Sequence, residues 1–146
     1  MKLVSLAFGF ALYAVVLLLG FTYNGGHILS LMQLGEWFSV LFGPLACLLT
    51  GYGFCGTLRH LRAAFGSGVP SDVAGTERLL SLWIAAAYGT AFVFFILDLI
   101  VTMNYIAGEL SLIGEKIAAA SIAPLLATFL AEGLLRPLKH RIAAGK

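Results

Sequence analysis

Charge is what this sequence has least of. Nine Lys+Arg and seven Asp+Glu make up 11% of its 146 residues, where a soluble domain carries about 25%. That scarcity excludes disorder, which requires high charge and low hydrophobicity. A net charge of +2 is not the basic excess of a nucleic-acid binder, so no nucleic acid is expected as a partner. Cysteine is also sparse. Cys47 and Cys55 lie two helical turns apart on one expected helix, a rise of about 12 Å, which is beyond disulfide reach. His27, His60 and His140 are scattered, and there is no CxxC, phosphate loop, Ser/His/Asp set or Cys/His set. No metal, cofactor or enzyme activity is therefore expected. What remains is apolar, 60% of the chain, which is the composition of a membrane protein.

The charges divide the chain into spans. No charge falls between Lys2 and Glu36, or from Trp37 to Leu58. Leu79–Leu97 and Ile117–Ala131 are also uncharged, ending at Asp98 and Glu132. A bilayer crossing takes roughly 20 mostly apolar residues. The polar patch Thr22–His27 breaks the first run. The expected fold is all-α, a single domain over 1–146. Its four transmembrane helices lie at about 3–22, 36–58, 78–103 and 110–136. The first apolar stretch is longer than a signal-peptide core and no small-x-small cleavage site follows, so it reads as a retained helix. Ser71 or Thr76 is expected to cap helix 3, and Pro137 to stop helix 4 or kink it into a basic tail.

Eight of the nine basic residues fall on one side of these spans, and only Lys116 falls on the other. The excess of Lys and Arg marks the cytoplasmic side. Both termini and the 2–3 connection are thus expected in the cytoplasm, with the turns at 22–35 and 104–108 facing outward. Arg59 and Arg62 are expected among lipid headgroups.

An ionisable residue inside the membrane costs about 2.5–3.5 kcal/mol and is a functional candidate. Asp98 follows Arg78, and Lys116 precedes Arg136, by equal stretches of helix. Each is roughly 30 Å from the cytoplasmic boundary. Asp98 can form a structural ion pair with Lys116, serve an ion pathway, or reach the interface. Ala87, Ala91, Phe94 and Thr102 share its helical face, and Thr90 flanks it. On helix 4, Ser121, Pro124, Thr128 and Glu132 form a polar stripe at helical spacing. Such a stripe can line a pore, or its hydroxyls can bond back to their own helix while Glu132 pairs with Arg136. Gly43, Cys47, Gly51 and Cys55 recur every fourth residue, a small-residue stripe suited to close helix packing.

The order of several short motifs resembles the MotA/TolQ/ExbB superfamily, flagellar MotA most closely. They are Gly20, Asn24-Gly25-Gly26-His27-Ile28-Leu29, Leu34-Gly35-Glu36, Thr57-Leu58 with Arg59 and Arg62, Gly114 to Ala120, and Phe129 to Leu138. The resemblance implies a bacterial inner-membrane ion-channel or motor subunit. It further implies a pentamer around a single-pass MotB-, ExbD- or TolR-like partner that carries the ion-accepting Asp. Ion flow past helices 3 and 4 would drive work. Thr90 matches the family's helix-3 threonine. Pro124 stands where the family has its helix-4 pore threonine, and Trp83 falls near the helix-3 proline of MotA. A short connection replaces the large cytoplasmic insertion. The ion pathway or partner-facing residues are then Thr90, Asp98, Ser121, Thr128 and Glu132. The alternatives are a non-conducting membrane scaffold held by Asp98–Lys116 and a small dimeric transporter. A glutathione-dependent four-helix enzyme is less favoured still, since Arg59, Arg62 and Arg78 form no recognisable set.

Overall fold

In hydrocarbon a peptide group finds no water, so a single-chain segment must satisfy its own backbone, which a helix does. A computed structural model describes residues 3–23, 34–66, 70–105 and 113–144, and these residues are helical almost throughout, with no strand among them. Helix α1 spans Leu3–Tyr23, α2 Leu34–Phe65 and α3 Val73–Tyr105. The fourth segment is interrupted: α4 Ile113–Ala120, α5 Ile122–Leu130, a π-helical turn Ala131–Leu135, and α6 Arg136–Ala143. Three stretches, Gly35–Phe65, Val73–Met103 and Ile113–Ala143, are long and apolar enough to cross a membrane, and α1 adds the shorter apolar stretch Ala7–Leu19. The Asn24–Leu29 motif, the turn at 106–112, Lys2 and Lys146 lie outside the described residues.

The side chains are sorted as lipid demands. Many buried positions are small: Ala64, Ala87, Ala91, Ala123, Ala127 and Ala131 are all at most 1% exposed, beside leucines such as Leu48, Leu79, Leu80 and Leu135. Many large apolar residues point outward, with Phe8, Phe54 and Met103 each 71% exposed. Small residues let backbones approach, and lipid tails solvate the large ones. Two cores result. One joins Val40 of α2, Ala87 and Ala91 of α3, and Ile122, Ala123, Leu126 and Ala127 of α5. The other joins Ala64, Leu80, Leu135, Leu138 and Ile142 where α2, α3 and α6 meet.

Each irregularity has a local cause. Gly53 interrupts α2 with φ 69° and ψ 168°, a region essentially confined to glycine. The break turns the chain so that buried Thr57 donates its hydroxyl to the Leu48 carbonyl at 3.1 Å. A hydroxyl in a continuous helix reaches only the carbonyls three or four positions back, and Leu48 lies well beyond them. Pro124 has no N–H for the Ala120 carbonyl, and the fourth segment breaks beside it at Ser121. Pro137 lies in the first turn of α6, which carries the basic residues and runs to Ala143. The π turn just before it shifts the register, since the Arg136 N–H bonds the Ala131 carbonyl. The α3 cap is neither Ser71 nor Thr76 but Asp72, whose Oδ1 accepts the Gly75 N–H at 2.8 Å. Thr76 instead lies buried in the first turn and donates to the Asp72 carbonyl at 2.7 Å. His60 is buried in α2 and bonds Thr76 through Nδ1 at 3.1 Å. Because the Thr76 proton is committed to Asp72, the His60 Nδ1 must be the donor.

Helix α1 rests on the π turn. Phe129 stacks on Tyr13 at 5.7 Å between ring centroids and tilts against Phe10 at 4.9 Å. Gly133 makes the fit possible: a Cβ there would stand 2.6 Å from Cδ1 of Tyr13.

Candidate functional site

Glu36 lies in the first turn of α2. Asp98 lies on α3, two turns before its last residue, Tyr105, or about 10 Å along the axis. The two carboxyl groups are close enough across the α2–α3 interface to interact electrostatically. Glu36 Oε2 and Asp98 Oδ2 are both buried, and neither has a hydrogen-bond partner. The hydroxyls nearby in sequence offer nothing to them. Ser39 donates to the Glu36 carbonyl at 2.8 Å, and Thr102 donates to the Asp98 carbonyl at 2.7 Å. An ionised carboxylate only accepts, so a hydrogen bond between two carboxyl groups requires a proton on one of them. Two bare charges about 4 Å apart would repel by about 4 kcal/mol at an effective dielectric of about 20. A single proton held between the two acids would remove that repulsion.

The face of α3 that carries Asp98 packs as its small residues suggest. Ala87, Ala91 and Thr102 are buried, while Phe94 is exposed. Thr90 is half-buried and gives its proton to the Ala86 carbonyl at 2.8 Å. It packs so closely on α2 that a Cβ at Gly43 would lie 2.8 Å from its Cγ2. Gly51 similarly faces Leu82, with a Cβ 3.4 Å from Cδ2. Cys47 and Cys55 are free and exposed. Within one chain, the close packing of the Gly43–Cys55 stripe is therefore carried by Gly43.

A second polar group lies nearer the Arg78 and Arg136 ends of the helices. Tyr88 Oη donates to Glu132 Oε1 at 2.8 Å. The other Glu132 oxygen, Oε2, pairs with Arg136 Nη1 at 3.0 Å. Thr128 is within hydrogen-bonding reach of Tyr88 and donates to the Pro124 carbonyl at 2.8 Å. Ser121 is exposed and donates to the Ile117 carbonyl at 2.9 Å. The helix-4 stripe thus joins α3 at Glu132 through Tyr88, and Ser121 stands apart, toward α4. Lys116 is exposed on α4.

Sequence reasoning singles out Asp98 and Glu132 and offers Arg136 as a partner of Glu132, but misses Glu36 and Tyr88. Glu36 reads in the sequence only as the residue opening helix 2. Its signal is its height: it precedes Arg59 by about as much chain as separates Asp98 from Arg78. Tyr88 has no such signal, because a tyrosine in an apolar run reads as an aromatic packing residue. Among the described residues, no group of three or more His, Cys, Asp or Glu is placed to hold a metal ion. No protein-family model, curated protein or solved structure matches this chain.

Proposed function

We propose that this chain is a proton-handling membrane subunit of the MotA/ExbB kind. In this reading it has four spans with both termini cytoplasmic. It assembles as a homo-oligomer, a pentamer by the family resemblance, around a single-pass partner in the bacterial inner membrane. The observation that carries the reading is the Glu36–Asp98 pair, two carboxyl groups close enough to interact between apolar helices. Acids kept at such a cost inside a membrane mark ion pathways, and a shared proton is one that can be passed on. Thr90, Ser121, Thr128 and Glu132 belong to the helix 3 and 4 surface that faces the pathway or the partner. Glu132, held by Tyr88 and Arg136, is its acid toward the cytoplasm.

Proton flux into vesicles holding the chain, alone and with its partner, tests this. Asp98→Asn and Glu36→Gln keep the shapes of the side chains and remove their acidity. Each is expected to lower flux by roughly a hundredfold, the lower range for a lost proton-transfer group. Undiminished flux in both variants overturns the reading.

One set of observations favours a non-conducting scaffold as the second reading. The hydroxyls of Thr90, Ser121 and Thr128 all donate into their own helices, as structural residues do. In that reading Asp98 and Lys116 hold the helix 3–4 hairpin. Wild-type flux then stays at background, and Asp98→Asn and Lys116→Gln lower assembly yield alike. Oligomer mass separates both readings from a transporter, five copies against two.

A further inference from the structure

The ends of α2 and α6 and the start of α3 come together around the second core, and this end of the molecule is cationic. Arg59, Arg62, Arg78 and Arg136 are exposed, and Lys139 and Arg141 are half-buried. The neighbouring acids are engaged. Asp72 caps α3, Glu132 holds Arg136, and Glu77 has an interaction of its own. Arg141 donates one guanidinium nitrogen, Nη2, to the Gly66 carbonyl, while its other, Nη1, is buried without an acceptor.

Large apolar side chains are exposed within about a turn of the exposed arginines. Leu58, beside Arg59, is 58% exposed, Phe65, a turn past Arg62, 42%, and Leu82, a turn past Arg78, 37%. A ligand that answers both features carries a negative group and a hydrocarbon chain on one molecule. We propose that this end of the bundle binds anionic phospholipids, with phosphates at Arg59, Arg62 and Arg78 and acyl chains along Leu58, Phe65 and Leu82. Charge complementarity selects the headgroup, and the apolar neighbours select a lipid over a free phosphate or an acidic protein segment. The proposal does not depend on ion conduction.

The test is the lipid retained by the full chain purified from nanodiscs of mixed phosphatidylcholine and phosphatidylglycerol. Native mass spectrometry counts the bound lipid. Phosphatidylglycerol should be enriched several-fold over its share of the disc. The enrichment should fall toward one when Arg59, Arg62 and Arg78 are together replaced by Gln. It should also fall for the wild type in molar salt, where the screening length drops to about 3 Å; this arm needs no variant to fold. Lys116→Gln, on the other side of the bundle, should keep it. Bound lipid matching the disc composition overturns the proposal, as does enrichment unchanged in the triple variant. Full displacement of the lipid by inorganic phosphate or a poly-glutamate peptide at equal charge also overturns it, because the acyl contacts would then count for nothing.

Discussion

At the scale of single residues, the membrane layer raises the stakes of every atom without a partner. Glu36 and Asp98 each bury an oxygen that has no hydrogen-bond partner. Thr57 answers the break at Gly53 by bonding Leu48. Gly43 acts by lacking a side chain. A methyl group there meets Cγ2 of Thr90 at 2.8 Å and Cβ at 3.0 Å, both closer than side chains tolerate. Gly43→Ala should destabilise the bundle by about 1–3 kcal/mol, the usual cost of overpacking. Thr90→Ala should recover most of that loss in the double variant. Thermal unfolding in detergent checks both, and equal stability of Gly43→Ala and wild type would refute the close crossing. Asp98 and Glu132 are legible in the sequence because a charge inside an apolar run has no other explanation. Glu36 is hidden because a charge at the end of a run already has one.

At the scale of elements, most helices are legible in the apolar runs, and their interruptions are legible in part. Helix 1, expected at 3–22, lies at Leu3–Tyr23. Helix 2, whose span is expected at 36–58 with Thr57–Arg62 continuing the helix, runs on to Phe65. Helix 3 begins at Val73 rather than residue 78, because Asp72 supplies the cap. The π turn does not follow from Pro137 alone, since a proline permits a stop, a kink or a register shift. The shift matters for α1, whose Phe10 and Tyr13 meet Phe129 and the notch at Gly133. Gly133→Val should therefore lift α1 from the bundle. Spin labels on α1 and α5 should report a longer, broader distance distribution while α2 and α3 keep theirs. An unchanged α1–α5 distance would mean the notch does not hold the helix.

At the scale of the whole molecule, exposed phenylalanines and buried alanines describe a protein whose solvent is lipid. One end carries Arg59, Arg62, Arg78, Arg136, Lys139 and Arg141, and that asymmetry predicts its orientation. In a background with both native cysteines replaced by serine, an impermeant thiol reagent added outside intact cells should label Gly114→Cys and spare Ser71→Cys. Both positions are exposed. The opposite pattern would invert the topology and move the carboxyl pair to the cytoplasmic half. The claim on which the proposed function rests is that Glu36 and Asp98 hold one proton between them. Infrared spectroscopy of the reconstituted wild-type chain at neutral pH reads it directly. One protonated-carboxyl stretch per chain is expected, lost in both Glu36→Gln and Asp98→Asn. A wild-type spectrum with no such stretch would contradict it, because both carboxyl groups would then be ionised and the pair would hold no proton to pass on.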